Sequence, residues 1–458
     1  METPKVCKGC FSEWEEGWDV CPYCGFNPKR LYSEMFSWKT GDILEKRYLV
    51  GEILCRIQDI AVWRFYDHVL GIPCFVLRKR QNIIEELYPI ARKLSAGNIG
   101  EKREIEILSV KTIEEKHVLI FSMKDRYKNA EELKELLISK DVKGEKEEKQ
   151  GKEPAVCVDT QGGNPLPAGT CLDGRYRIKG CIGIGGFGIT YLCEDILLHR
   201  DVAVKEYFPG EWAERDGEYV AVKASRMVEA YKFGIQSFFK EVRITAKFIH
   251  ASHIVTVYDA IEANDTAYMV LEYIEGMSIG REMRAKNYKP YTPAEMAEVV
   301  LPVLEGLEEI HSQRIVHSDI SPGNIMRSVK GRICLIDLGA AKYNLESQPV
   351  LSAAFLKIDY AAPEQYRTAK EGIPKGEGPW TDLYGLGAVM YYMLTGHKPA
   401  DVISRLSSKS PKLVPPRKYG VKLPKKWMKL IYHAMSLEIK ERFHSAAECR
   451  DEIRKLLE

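Results

Sequence analysis

The chain has 458 residues, 45% of them hydrophobic, and its 67 basic and 65 acidic side chains leave a formal charge of only +2. So even a balance gives no general electrostatic drive towards nucleic acid or a membrane surface, and no apolar run reaches the ~18 residues needed to span a bilayer. The length suffices to bury several cores and sets an expectation of roughly two to four domains.

The first element is a pair of Cys-x-x-Cys turns, Cys7 with Cys10 and Cys21 with Cys24. Each turn aims two thiolates at one ion, and four sulfurs satisfy tetrahedral Zn²⁺ in a segment too short to bury a core. The spacing predicts a zinc ribbon over residues 1–30. Two disulfides are the alternative, disfavoured because the other cysteines are scattered and no signal-peptide pattern is expected ahead of them. Glu13, Glu15, Glu16 and Asp19 between the pairs argue against a phosphate-binding surface, and Trp14 and Trp18 suit packing on a neighbour.

Residues 31–140 carry an internal repeat. Gly41, Leu44, Arg47 and Tyr48 match Gly169, Leu172, Arg175 and Tyr176 at an offset of 128, which also pairs Trp63 with Tyr191, Asp67 with Asp195 and Val76 with Val204. An unrelated α/β domain with a chance match is the alternative. Residues 141–166, mixed in charge with Gly and Pro, read as a flexible linker.

Beyond the linker, Gly183, Gly185, Gly186 and Gly188 lie between two strand-like runs, Arg175–Ile178 and Tyr191–Cys193. Between strands, rather than before a helix, such a run predicts a hairpin whose bare backbone lies over phosphates. Asp201–Lys205 alternates like a strand and ends in a lysine placed for those phosphates. Glu241 falls in a helical pattern over Phe238–Ile244, and Tyr268–Ile274 reads as a strand leading to Glu275 and Gly276. His317, Ser318 and Asp319 follow, with Asn324 five residues after the Asp. The buried-strand pattern Arg332–Ile336 then delivers Asp337, Leu338 and Gly339, returned by a hairpin towards Asn324. Taken singly, H-x-D or D-x-G would be an ordinary turn or cap. Ala362, Pro363 and Glu364, a helix opened by Asp382, and Arg442 as a partner for buried Glu364 complete the series.

From about residue 167 onward this ordered set resembles the eukaryotic-like Ser/Thr protein kinase family in its bacterial form. The resemblance implies an α+β, bilobal kinase fold over 167–458, with a β-rich small lobe over 167–274 and a helical large lobe over 275–458. It implies transfer of the ATP γ-phosphate to protein hydroxyls, with Mg²⁺ or Mn²⁺. Asp319 would be the base, with Lys205 and its ion-pair partner Glu241 aligning the phosphates. The nucleotide site would comprise Gly183, Gly185, Gly186, Gly188, Thr190, Ala203, Lys205, Glu272, Ile274, Met326, Asn324 and Asp337, with Leu271 as gatekeeper. Asn324 and Asp337 would hold the metal.

Two letters depart from the family. Ser318 stands where an Arg usually meets an activation-segment phosphate, so dependence on loop phosphorylation should be weak. Ser321 stands where a Lys usually steadies the transferring phosphate, and Lys357 is the candidate to restore that charge. Leu338 for Phe should preserve packing. Ser347 and Ser352 are candidate autophosphorylation sites. In the repeat, Cys55, Ile57 and Ile60 fall opposite the loop glycines and Leu77 opposite Lys205, so residues 31–140 are expected to form a degenerate small-lobe-like domain that does not bind ATP in the usual way. Linker tethering would let this module and the ribbon dock on the true small lobe near the Glu241 helix and regulate it, within the chain or in a dimer. The expectation is a cytoplasmic enzyme; a pseudokinase or nucleotide-binding scaffold is the alternative.

Overall fold

The computed structural model describes residues 38, 40–57, 60–79, 83–96, 105–123, 133, 137, 165–338, 358–366, 376–407 and 413–458. The four ribbon cysteines, most of the linker, Gly339, Ser347, Ser352 and Lys357 lie outside them. The described residues fall into two compact units. The first runs to Ile235 and takes in Thr245–His250 and Thr256–Tyr273; the second comprises Gln236–Ile244, Ala251–Val255 and Ile274–Glu458.

The first unit contains two six-stranded sheets. The front sheet is built from β1 (Ile43–Leu44), β2 (Tyr48–Ile57), β3 (Ile60–Asp67), β4 (Ile72–Lys79), β5 (Ile105–Ile113) and β6 (Lys116–Met123), in the order β1-β2-β3-β4-β6-β5. Helix α1 (Leu87–Ala96) lies between β4 and β5 in sequence. The rear sheet is built from β7 (Cys171–Leu172), β8 (Tyr176–Ile184), β9 (Gly188–Asp195), β10 (Arg200–Tyr207), β13 (Val257–Ala263) and β14 (Thr266–Glu272). Its order, β7-β8-β9-β10-β14-β13, is that of the front sheet strand for strand. A hairpin of β11 (Ala213–Asp216) and β12 (Tyr219–Val222), then helix α2 (Val228–Ala246), account for the longer β10-to-β13 connection.

The agreement extends to register. Leu44 pairs with Tyr48 as Leu172 pairs with Tyr176, and Tyr48 pairs with Asp67 as Tyr176 pairs with Asp195. On the outer strands the ladder breaks between Ile107 and Ser109, and again between Val257 and Asp259. Arg47 grips Asp67 through Nε and Nη2, and Arg175 grips Asp195 in the same way. Val62, Phe75, Leu77 and Phe121 give the front sheet a core face, which fixes its register because a slip of one residue would turn them off it.

The second unit is largely helical. It holds α3 (Ile279–Ala285), α4 (Pro293–Ser312), α5 (Pro379–Thr395), α6 (Val402–Ser407), α7 (Lys425–Ala434) and α8 (Ala446–Leu457), with a small sheet of β15 (Gly276–Ser278), β16 (Ile325–Ser328) and β17 (Ile333–Leu335). Thr292 and Glu295 form a reciprocal capping box at the start of α4. Its apolar side, including Val299, Val303, Leu307 and Ile310, is fully buried. Helix α5 is buried on all sides and stops at Gly396, whose φ of 74° is the left-handed cap that glycine adopts without strain.

Candidate active site

In the rear sheet the glycine-rich turn joins β8 to β9, as the motif's position between strands requires. Gly185 N–H donates to the Gly188 carbonyl at 2.8 Å, closing the turn. Gly188 has a steric reason to be glycine: a Cβ there would lie 2.6 Å from the Glu206 carbonyl oxygen. At Gly186 the same atom would meet nothing within 4 Å. Thr190 pairs with Lys205, and Ala203 pairs with Leu192 and Leu271, so these residues share one face of the sheet. Glu272 ends β14, its N–H donating to Thr256 at 2.9 Å.

Glu206 follows Lys205 and so points to the opposite face. It accepts from Tyr191 at 2.7 Å, Tyr268 at 2.9 Å and Arg215 at 2.6 and 2.8 Å. This network ties the β11–β12 hairpin to the sheet behind Lys205. Burial, then the Glu206 carboxylate, pushes both phenols well above their ordinary range. Sequence reasoning missed the network; the only signal was an acid beside the lysine on a strand.

In the front sheet the corresponding face is filled. The residues in register with Thr190, Ala203, Lys205 and Leu271 are Val62, Phe75, Leu77 and Phe121, all buried in one apolar cluster with Leu87, Ala91 and Leu94 of α1. Phe75 and Phe121 stack at 5.6 Å.

The second unit assembles the loop around Asp319. Asp382, in the first turn of α5 and 1% exposed, accepts from the N–H groups of His317 at 2.9 Å and Ser318 at 2.7 Å, and meets His311 Nε2 at 2.8 Å. A buried carboxylate is tolerated here because it satisfies buried donors. Its grip secures Ser318 at φ 63°, a left-handed conformation that non-glycine residues adopt at a cost of about 1–3 kcal/mol. Ser318 Oγ donates to Glu377 at 3.0 Å, and its carbonyl accepts from Gln365 at 2.8 Å.

Asn324 Nδ2 donates to Asp319 Oδ2 at 2.8 Å and to the Asp319 carbonyl at 2.9 Å. The β16–β17 hairpin then returns the chain, and Ile336 N–H donates to the Asn324 carbonyl at 2.9 Å, placing Asp337 next in line at φ 57°. The strand proper is three residues, and the Arg332–Ile336 pattern exceeds it by one residue at each end, where Arg332 accepts from Ser328 N–H and Ile336 donates to Asn324 in continuation of the hairpin. Leu338 is 2% exposed, and packed as expected of an apolar residue there. Met326 lies on β16, and Ile274 is buried. Glu364 and Arg442 form the buried bidentate pair read from the sequence, at 2.8 and 3.0 Å, with Thr381 also donating to Glu364. Of the residues reached by pairing, Asp382 had been read only as the opening of an apolar helix.

Among the described residues no cluster of three or more His, Cys, Asp or Glu is arranged to hold a metal, and no helix is long and apolar enough to cross a membrane. Asn324 and Asp337 carry the ligand types a hard divalent cation takes, an amide oxygen and a carboxylate. With Nδ2 engaged by Asp319, the Asn324 amide oxygen is the end that would meet the ion.

Residues 176–457 match the family model described as protein kinase domain. The chain is 32% identical over 241 residues to serine/threonine-protein kinase PrkC of Bacillus subtilis, covering 52% of this chain and 33% of the relative. It is 31% identical over 234 residues to serine/threonine-protein kinase PknB of Mycobacterium leprae, covering 50% and 33%. The chain thus spans about one third of the length of these relatives. Among solved structures it is similar to one titled PpkA-294 apo form, with 28% identity and a TM-score of 0.56, covering 64% of this chain and all of that one.

Proposed function

Because the chain belongs to the protein kinase family, we propose that it is a Ser/Thr protein kinase that transfers the ATP γ-phosphate to protein hydroxyls. The observation that carries this reading is the hold of Asn324 on Asp319, with Asp337 brought in by the adjoining hairpin. Asp319 accepts the proton of the incoming hydroxyl, its carboxylate oriented by Asn324. Asn324 and Asp337 hold Mg²⁺ or Mn²⁺, which when bound neutralises charge on the phosphates. Lys205 engages the α- and β-phosphates and Glu241 is its ion-pair partner. The glycine turn supplies backbone N–H groups to the phosphates, and the face with Thr190, Ala203 and Leu271 takes the base, whose edge is read at Glu272 and Ile274. Met326, on β16, is assigned to the nucleotide by the resemblance alone. Radiolabelled transfer from ATP by the purified chain tests the reading. Asp319→Asn should lower the rate by about 10²–10⁴ while leaving the fold intact; unchanged transfer would rule out this role, and no transfer by the parent would favour the scaffold alternative.

Residues 31–140 are read as a degenerate small lobe that does not take ATP. Shared strand order and register support this, as does the apolar filling of the face equivalent to Lys205. The four cysteines Cys7, Cys10, Cys21 and Cys24 are read as a zinc ribbon on their spacing; metal analysis returning much less than one zinc per chain would remove that reading. A cytoplasmic location and regulation through this N-terminal module complete the proposal.

A further inference from the structure

The two sheets of the first unit meet through their outer strands β5 and β13. Arg47 of the front sheet reaches Asp259 Oδ1 at 2.8 Å and the Ala260 carbonyl at 3.3 Å on β13. Its equivalent in the rear sheet, Arg175, donates to Ser109 Oγ on β5. Ser109 and Asp259 are themselves equivalent. Each follows the ladder break of its strand and pairs with the matching residue of the next, Ile120 and Val270. Exchanging the sheets therefore exchanges the two contacts, as across a two-fold axis. Arg200 sits at the middle, donating to the Leu108 carbonyl at 3.1 Å and stacking on Tyr258 at 3.7 Å, so it touches both bulge residues. At one end Ser122 Oγ lies 3.0 Å from His250 Nε2, just past the helix that carries Glu241.

The symmetry of position is not a symmetry of charge: Lys111 and Arg200 stand where the other sheet has Ile261 and Ile72. Asp259 is fully buried and gathers Arg47, Lys111 at 2.8 Å, Arg175 at 3.8 Å and the Tyr176 hydroxyl at 3.2 Å, whereas the mirror position holds the uncharged Ser109. We propose that the front sheet is a built-in pseudo-two-fold partner of the small-lobe sheet, locked to its outer strand by the Asp259 carboxylate. The inference rests on the small-lobe reading of residues 31–140 only for its symmetry. Arg47 and Lys111, both from the front sheet, need a carboxylate across the boundary when they are desolvated, so separating the sheets strands charges on both sides.

The lock is tested in the full chain carrying a protease site engineered within residues 144–153. After cleavage, the parent's two fragments should co-elute at micromolar concentration. Asp259→Ser should separate them, weakening association at least a hundredfold. Moving the acid to the mirror position, Asp259→Ser with Ser109→Asp, should restore part of the association, because Arg175 then meets an acid across the boundary as Arg47 does in the parent. Parent fragments that part on cleavage would overturn the proposal, as would a double variant no better than the single one. Circular dichroism of each uncut variant separates loss of docking from loss of folding. Because the readout is association, the result stands apart from whether the chain transfers phosphate.

Discussion

The side-chain amide of Asn324 bridges the carboxylate and the main-chain carbonyl of Asp319, at 2.8 and 2.9 Å. Under the proposed function one residue serves two needs: it sets the orientation of the proposed base and would present its own oxygen to a cation. Asn324→Ala should cost at least about 10²-fold in turnover and raise the concentration of Mg²⁺ required. A metal titration in which only the maximum rate falls would remove the cation role.

The close approach at the glycine turn separates two glycines that look alike in sequence. Gly188→Ala forces a Cβ against the Glu206 carbonyl and should destabilise the fold by about 1–3 kcal/mol. Gly186→Ala opens onto empty space and should stay within about 0.5 kcal/mol of the parent. Urea unfolding of the two variants would count against the steric account if they proved equal.

Arg442 is 1% exposed, and its partner Glu364 also receives Thr381. Arg442→Leu leaves a buried carboxylate without its cation, a loss of about 3–5 kcal/mol. The double variant Arg442→Leu with Glu364→Gln should recover part of that loss. Calorimetry showing the double variant to be the less stable would contradict the pairing.

Asp259 carries a pH dependence of defined sign. Burial favours its neutral form, but Lys111, Arg47 and Arg175 outweigh it and hold the carboxyl well below the ordinary range. The other charged groups facing the cluster are Asp67 and Asp195 on the arginines, Asp173, and Arg200. An aspartate depressed in the folded state stabilises fully above its unfolded value of about 3.9, and the contribution drains away as pH falls towards the folded value. Asp259→Asn should therefore melt well below the parent at pH 7, with the gap narrowing below about pH 4. A gap that stays constant down to pH 3 would show that the charge is not what stabilises.

Lys357 is proposed to supply the positive charge that Ser321 does not. Lys357→Ala should lower turnover by about 10–100-fold with little change in KM for ATP, since the interaction forms as charge develops in transfer. Parent-like turnover would end this assignment.

The neighbourhood of Asp319 was legible because it is local: Asn324 lies five residues on and directly precedes the β16–β17 hairpin, which brings the chain back to it just before Asp337. The likeness of the two sheets was legible through the repeat, since Tyr48, Asp67 and Val76 each fall in register where Tyr176, Asp195 and Val204 do. What escaped were pairings between distant residues with no pattern of their own. Asp382 reaches His317 from another helix, Arg215 reaches Glu206 from an inserted hairpin, and Asp259 reads as an ordinary strand acid until Arg47 and Lys111 arrive from the other sheet. Among the described residues the front sheet meets β13, Arg175, Arg200 and His250; the expected docking of the ribbon lies outside them.

The stacked rings of Phe75 and Phe121 give the front sheet a fixed internal guest. A fold that binds a nucleotide gains stability with the logarithm of the ligand concentration above its Kd. In the front sheet the packing on that face comes from the chain's own side chains, so under the proposed function its stability does not rise with nucleotide concentration. Under the proposed function, one half of the pair is a thermodynamic constant and the other a variable, and the constant half braces the variable one in every metabolic state.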